Sequence, residues 1–398
     1  MGSLRRVGSM VVAAGLVVGP VSGVGAVSTA AAGSGGVVRV NQLGYGAFDG
    51  KAAYVMTRDA ATGARYQVVD RYGNRVLSGR VGGDVGEWNA TYQHVYQLDL
   101  SALKVPGKYR IEVPGVASSA FEIRADANRL LTGAKDKAVT FFTEQRDGAN
   151  VVPGSLGRQP AHLNDRVAQV YDTPVFVDPD SDQTVGELRR IGGPVDVEGG
   201  WYDAGDYLKF THIAAYSESL LWASARDARR PDQQVLAEAR HGLDWLDKMW
   251  DSRTKTLYIQ VGVGTGNVEE TFVGDHDVWR LPEVDDHLAD PSERFLRNRP
   301  VFRAAAPGKP ISPNLAGRTA AAFALAAQVE KNPATARRHL DTAAQIYAQA
   351  QTTNVGQLVT SLPFAFYPET AGVTISSSAR PNSPSPRAGW AIHGPEPG

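Results

Sequence analysis

The segment Gly199-Gly200-Trp201-Tyr202-Asp203-Ala204-Gly205-Asp206-Tyr207-Leu208-Lys209-Phe210 carries the strongest signal in this chain. It places two carboxylates, Asp203 and Asp206, three residues apart between small and aromatic side chains. Paired carboxylates are what acid–base hydrolysis of a glycosidic bond requires, and the glycines allow a tight turn that a substrate can approach closely. On this segment alone a structural alternative stays open: Asp203 caps a helix and Asp206 is a solvated carboxylate in its first turn.

Four further stretches carry residues with recognisable chemistry. They are Arg158–Asp165 (RQPAHLND), Gln260–Glu283 with DHDVW at residues 275–279, Ser312–Arg318 (SPNLAGR) and Phe364–Thr370 (FAFYPET). Together with residues 199–210 they resemble glycoside hydrolase family 9, the inverting endoglucanases, over about residues 37–370. The joint spacing favours functional roles over the structural roles that each residue alone would suggest.

The resemblance implies a role for several of these side chains. Asp206 is expected to act as the general base that takes a proton from the attacking water, and Asp203 to hold the same water. The expected substrate-binding residues are Tyr202, His276, Trp279 and Tyr367. Among them, His276 would hydrogen-bond a sugar hydroxyl, Trp279 would stack under a glucosyl ring and Tyr367 would line the cleft. Taken alone, His276 is more typical of a structural histidine and Trp279 of a core residue.

Three of the remaining stretches are given structural roles. Arg158–Asp165 is predicted to be a loop near the rim of the cleft without a catalytic role. Asn314 is predicted to cap a helix. The acidic stretch from Glu283 to Asp290, which includes His287, is predicted to be a solvated loop without a metal, and we predict no metal ligand in the site.

Residues 37–124 have the pattern of a β domain. Short β-rich runs lie at 37–40, 53–56, 66–69 and 109–113, and Gly, Asn and Pro clusters separate them. This spacing fits a small sandwich of immunoglobulin size, and it resembles the Ig-like domain that precedes the catalytic domain in one branch of the family. Because the strands show no row of outward-facing tryptophans, we favour a structural brace over a sugar-binding module.

From about residue 130 the pattern becomes helical. Apolar residues recur at helical spacing, and candidate helices span 130–144, 234–250, 315–330 and 333–352. Strand signals are missing there, which indicates an all-α domain, and the family's fold is an (α/α)6 barrel. The predicted fold class is therefore a multidomain β plus all-α protein: an Ig-like β-sandwich at 37–124, then an incomplete (α/α)6 catalytic domain at 130–370.

Composition and the N-terminal sequence limit which binding partners and which cellular location we expect. The chain has 41 Lys and Arg against 42 Asp and Glu, so it shows no electrostatic footprint for nucleic acid or an anionic membrane. Arg5 and Arg6, followed by an apolar stretch and small residues, predict a signal peptide at 1–32. We expect a secreted, extracellular monomer acting on a β-glucan polysaccharide. The chain has no cysteine, hence no disulfide and no thiolate zinc site.

The resemblance stops at Ala371, and a Ser/Pro-rich tail follows at 371–398. The family continues there with a helix that carries calcium ligands in many members, and its general-acid glutamate lies further on. We therefore expect no cofactor, and we keep an alternative function: a catalytically inactive remnant or glucan-binding protein. We hypothesise that the tail is read out of frame, which sequencing the gene around codon 371 tests.

Overall fold

The computed structural model describes residues 36–154, 156–228 and 230–370, and the predicted signal peptide and tail lie outside them. Two compact units meet between Gly133 and Ala134. The strands of the first unit are β1 Gly36–Arg39, β2 Tyr45–Gly46, β3 Ala52–Thr57, β4 Arg65–Asp70, β5 Arg75–Arg80, β6 His94–Asp99, β7 Gly107–Val113, β8 Val116–Ala117 and β9 Phe121–Arg124. All four strands expected from the sequence are present.

Two sheets make up the first unit. One has the order β1-β3-β6, and the other has the order β2-β9-β7-β4-β5, with β8 paired to β7. Alternate side chains point to opposite faces of a strand, and the inward set forms one buried cluster that includes Val55, Val68, Tyr96, Leu98 and Ile111. The pairing is antiparallel except between β2 and β9, which gives the sandwich expected from the short β-rich runs.

The remaining helices and strands follow in chain order. The helices are α1 Asn128–Glu144, α2 Thr211–Asp227, α3 Gln233–Lys248, α4 Arg294–Arg297, α5 Pro313–Val329 and α6 Pro333–Tyr347. The strands are β10 Ala168–Tyr171, β11 Arg190–Val195, β12 Lys209–Phe210, β13 Trp250–Asp251, β14 Thr256–Val261 and β15 Val301–Arg303. Short 3-10 turns lie at Leu163–Val167, Asp275–Asp277, Pro282–His287, Pro291–Glu293 and Phe364–Phe366.

The helices of the second unit pack mainly on one another. Helix α2 packs against α3 and α5, and α5 packs against α6. The sequence analysis missed α2 because its buried face includes the polar residues His212 and Glu218, which interrupt the apolar period. It also placed the cap of α5 two residues too late: Ser312 is the cap, and Asn314 is buried inside the first turn.

The second unit is helical as expected, but it also contains a sheet that the sequence analysis did not predict. A sheet of order β11-β10-β15-β14-β12 lies there, with β13 paired to β14. Most of its strands have two to four residues, which is too short for an alternating pattern to be recognisable. The sheet matters for the site because β12 ends the segment that carries Asp203 and Asp206, and Lys209 and Phe210 pair with β14.

A buried acid lies between α2 and α3. Glu218 is fully buried, and among the described residues neither of its carboxylate oxygens has a donor in normal hydrogen-bond geometry, although the nearby Trp222 indole opposes the rise of its pKa. A Cβ built on Gly242 of α3 would lie 2.1 Å from its Oε1, so only glycine fits there. Burial, together with the charges of Asp244 and Glu238, raises the pKa of Glu218 well above its usual value.

Replacing this acid should make the fold less sensitive to pH. Because the pKa of Glu218 is raised in the folded state, its contribution to stability is full below about pH 4.5 and is lost as pH rises towards the folded pKa. We expect Glu218→Gln to raise the unfolding midpoint at pH 8 and to change it little at pH 4.5. Thermal unfolding followed by circular dichroism measures both, and an equal shift at the two pH values would contradict the prediction.

Candidate active site

The segment from Asp203 to Leu208 forms a tight turn. The Asp203 amide donates to the Leu208 carbonyl at 2.9 Å, and the Leu208 amide donates to Asp206 Oδ1 at 3.0 Å. Helix α2 begins only at Thr211, with Phe210 as its cap. The structural alternative is therefore wrong, because neither aspartate caps a helix and both belong to a turn that precedes one.

Asp203 is the more enclosed of the two aspartates. Its Oδ2 accepts a hydrogen bond from the Tyr367 hydroxyl, and no described donor reaches its buried Oδ1. Burial raises the pKa of Asp203, the Tyr367 hydrogen bond opposes that shift, and the charge of Asp206 adds to it. The same contacts raise the pKa of Tyr367, with burial as the largest cause, so its hydroxyl keeps its proton.

Asp206 faces a histidine. Its Oδ2 lies 3.7 Å from His276 Nε2, and the opposite ring nitrogen of His276 lies 2.8 Å from Asp182 Oδ2. Thr265 donates to the same Asp182 oxygen at 2.6 Å. The carboxylates of Asp206 and Asp182 raise the pKa of His276 to about 9 against the opposing effect of burial. At neutral pH an imidazolium thus stands between two carboxylates.

A second set of contacts holds the far end of the turn. The Tyr207 amide donates to Asp275 Oδ2 at 2.8 Å, and the Tyr207 hydroxyl donates to the Arg280 carbonyl at 2.6 Å. Arg280 in turn donates to Asp275 Oδ1 at 2.7 Å. Since Tyr207 follows Asp206 directly, these contacts fix the backbone from which the Asp206 carboxylate projects.

Behind the turn lies a buried network of charged groups, which we call the ion network. Lys209, Arg299, Asp147, Asp165 and His162 belong to it, and none is more than 3% exposed. The Lys209 ammonium lies 2.8 Å from Asp147 Oδ2 and 3.0 Å from Asp165 Oδ2. It also donates to the carbonyls of Val197 and Gly199, which precede the segment. Arg299 pairs with the same two aspartates and donates to the Tyr207 carbonyl at 2.6 Å.

The ionisation of this network follows from its neighbours. Burial alone would raise the pKa of Asp147, but Lys209, Arg299 and His162 hold it well below its usual range. Burial and Arg299 oppose protonation of His162, yet Asp147 and Asp285 raise its pKa. Asp147 is therefore charged in the folded protein and lies among cations, which is the arrangement that a low-dielectric interior tolerates.

Two sequence predictions around this network need correction. The acidic stretch from Glu283 to Asp290 is not wholly a solvated loop, because Asp285 is fully buried between His162 and Arg280. Tyr202 does not present its ring to a substrate: it is 4% exposed, and its hydroxyl donates to Asp147 at 3.0 Å. A sequence in which small and aromatic residues alternate does not show whether an aromatic side chain is buried in the core or lines a cleft.

The other expected substrate-binding residues differ in their surroundings. His276 and Tyr367 adjoin the aspartate pair, and Phe366 packs on the His276 ring at a centroid distance of 5.5 Å. Trp279 is 96% exposed, so it is not a core residue. The sequence analysis did not single out Asp182, which lies on a long loop between β10 and β11 and carries no recognisable motif.

One group in the site has the composition of a metal centre. Asp206, Asp275 and His276 bring ligand atoms within 4.8 Å of one another. They do not fit a cation, because both oxygens of Asp275 already accept hydrogen bonds and the raised pKa of His276 keeps its ring protonated. The segment expected to carry calcium ligands in the family lies outside the described residues. The absence of a metal stays a prediction.

Two family profiles match the chain. The profile described as glycosyl hydrolase family 9 matches residues 132–374, and the profile described as a cellulase N-terminal ig-like domain matches residues 34–118. These matches confirm the resemblance stated from the sequence and the order of an Ig-like domain followed by a family 9 domain. The six-hairpin form of the barrel and its truncation stay predictions.

Individual proteins agree with the profiles. A cellulose 1,4-beta-cellobiosidase of Acetivibrio thermocellus is 32% identical over 67% of this chain and 32% of its own length. Endoglucanase C of Cellulomonas fimi is 30% identical over 53% of this chain and 21% of its own. The structure of the family 9 endoglucanase J30 superposes with a TM-score of 0.52 at 25% identity, over 76% of this chain and 52% of that one. The chain thus spans about a third or less of these two relatives.

Neutralising the lysine of the ion network should destabilise the second unit. Lys209→Met keeps the length of the side chain but removes one of the cations that pair with Asp147 and Asp165. Removing one partner of a buried pair costs about 3–5 kcal/mol, so we expect a loss of that size in the free energy of unfolding, measured with urea. Arg337→Met is the control, because its 77% exposed side chain pairs only with the exposed Asp341 among the described ion pairs and should cost at most about 1 kcal/mol. Equal losses would contradict a buried charge network.

Asp182 should set the protonation of His276. We expect Asp182→Asn to lower the pKa of His276 from about 9, because one of its two carboxylate partners is lost. The exposed Asp178→Asn in the same loop is the control and should leave that pKa unchanged. Because the folded pKa is raised, the stabilisation by this pair is full below pH 6.5 and is lost as pH rises through 9. An NMR titration of the ring follows it, and an unchanged pKa in Asp182→Asn would refute the coupling.

Proposed function

Because the chain belongs to glycosyl hydrolase family 9, we propose that it hydrolyses β-1,4-glucosidic bonds in cellulose or related β-glucans as an endoglucanase that inverts the anomeric configuration. The observation that carries the proposal is the turn in which Asp203 and Asp206 lie together beside His276 and Tyr367. An endoglucanase and a cellobiosidase among the relatives support the same class of bond.

Asp206 is the general base in this proposal. Its side chain is 23% exposed, so a water can reach it, and the Leu208 amide and His276 hold its orientation. Asp206 takes a proton from that water as the water attacks the anomeric carbon. His276, whose pKa is raised to about 9, lies beside it as a cation at neutral pH.

Asp203 holds the same water. It keeps one carboxylate oxygen with Tyr367, while its other oxygen has no described donor and can accept a hydrogen bond from the water. Two carboxylates so close repel, and burial raises the pKa of Asp203 further. The Tyr367 hydrogen bond offsets part of that effect, which keeps Asp203 available as an acceptor.

Inversion also requires a carboxylic acid on the other side of the sugar, about 6.5–9.5 Å from the base. Glu369 follows Tyr367 closely in the chain, but His212 and Arg318 lie 3.1 Å and 2.9 Å from its Oε1, and Asn314 donates to its Oε2. Both carboxylate oxygens of Glu369 are therefore already engaged by neighbouring side chains. This observation favours a second candidate, a catalytically inactive remnant or a glucan-binding protein.

Secretion and a monomeric state are parts of the proposal that rest on the sequence. The predicted signal peptide supports export, and the near-zero net charge gives no reason to expect a nucleic-acid or membrane partner. Within the described ranges, no helix has the length and apolar character needed to cross a bilayer.

Hydrolysis is tested directly on the purified chain. We expect reducing-sugar release from carboxymethylcellulose, and a loss of about 10²–10⁴-fold in Asp206→Ala, because the base is removed. Asp178→Ala, an exposed carboxylate outside the turn, is the control and should keep full activity. No release by any of the three proteins would reject the hydrolase and support the inactive candidate. Equal activity in Asp206→Ala would reject the assignment of the base.

A further inference from the structure

The first unit carries an arginine-rich surface on one side of a sheet. Val68 and Ile111 pair across β4 and β7 and belong to the core, so the residues that alternate with them lie on the opposite face. Strand pairing brings Arg65 opposite Arg80, and Val69 opposite both Arg75 and Arg110. We call this set the arginine face: Arg65, Arg75, Arg80 and Arg110, all of them exposed.

Most of these cations lack a carboxylate partner. Glu112 is the acidic residue that strand pairing places on the same face. Its carboxylate accepts hydrogen bonds from Arg110 at 2.7 Å and from Gln67 at 2.9 Å. Across the described residues, no ion pair joins Arg65, Arg75 or Arg80 to a carboxylate, and Arg80 donates to the Gly63 carbonyl at 2.9 Å. Like charges directly opposite each other destabilise a sheet, so the pairing of Arg65 with Arg80 is not explained by the stability of the fold.

A groove runs over this face. It has a volume of about 610 Å³, and it is lined by Arg65, Arg75 and Arg80 together with Gln67, Ser78 and Glu112. The polar side chains supply hydrogen-bond donors and acceptors between the charges. The Tyr66 ring is not a platform there, because it packs against the core and a Cβ on Gly79 would lie 2.7 Å from it.

From these observations we propose that the arginine face binds an anionic polysaccharide through its carboxylate groups. A guanidinium is suited to a carboxylate because it can donate two parallel hydrogen bonds. The hydroxyls of the sugar match the amide and hydroxyl in the groove. Single-stranded nucleic acid fits less well because the groove offers no aromatic ring for base stacking. The site is separate from the aspartate turn and does not depend on the proposed hydrolysis.

The experiment measures binding of the full chain to fluorescent oligogalacturonate by anisotropy. We expect saturable binding that weakens as NaCl is raised, because charge pairs are screened by salt. Arg65→Gln/Arg80→Gln should bind about tenfold or more weakly, since charged hydrogen bonds are lost. Its unfolding midpoint should stay close to that of the unchanged chain, because loss of the Arg80 hydrogen bond to Gly63 opposes the gain from removing a like-charge pair.

Arg58→Gln/Lys104→Gln is the matched control, since it removes the same charge from exposed positions of the first unit outside the face. It should bind as the unchanged chain does. No binding by the unchanged chain, equal losses in both double variants, or tighter binding of a DNA oligonucleotide that displaces oligogalacturonate would each overturn the proposal. Asp206→Ala should bind oligogalacturonate normally, so failure of hydrolysis and failure of binding remain distinguishable.

Discussion

The contacts of one buried ammonium organise the second unit. Lys209 compensates Asp147 and Asp165 in the interior, and at the same time it binds the carbonyls of Val197 and Gly199. A lysine is rarely enclosed unless its charge is paired and its donors are used. Here its donors reach both the buried aspartates and two nearby carbonyls, so the backbone before the aspartate turn is held from behind. Arg299 does the same for the backbone after Asp206 through the Tyr207 carbonyl.

This support lets the turn itself carry opposing charges. Asp203 and Asp206 raise each other's energy when both are ionised, and no helix dipole offsets that repulsion, since α2 begins too late. The compensation comes from side chains that arrive from elsewhere: His276 on one aspartate and Tyr367 on the other. The ion network behind the turn thus fixes the position of the backbone. The contacts of His276 and Tyr367 instead compensate the charge of the two carboxylates.

The sequence predicted the β domain, four of the helices and the aspartate pair, because each has a local signal: alternation, helical period or a long motif. It did not predict the ion network, because Asp147, Asp165 and Arg299 are ordinary charged residues until the fold brings them together. The same limit explains Asp182 and the wrong placement of Tyr202. The sequence around an isolated charged or aromatic residue does not show whether that side chain contacts water, a substrate or a residue distant in the chain. Helix α2 was missed for a related reason, since its buried Glu218 and His212 look like surface residues.

The ion network also bears on the order in which the chain can fold. Arg299 and Asp147 are separated by 152 residues, and Lys209 and Asp165 by 44. Closing such long loops is slow compared with forming a helix or a hairpin, so contacts between distant residues form late. The helices of the second unit can therefore be present while the aspartate turn is still unsupported. During synthesis, the turn leaves the ribosome well before Arg299 exists, and it acquires its fixed geometry only after that later segment has been made.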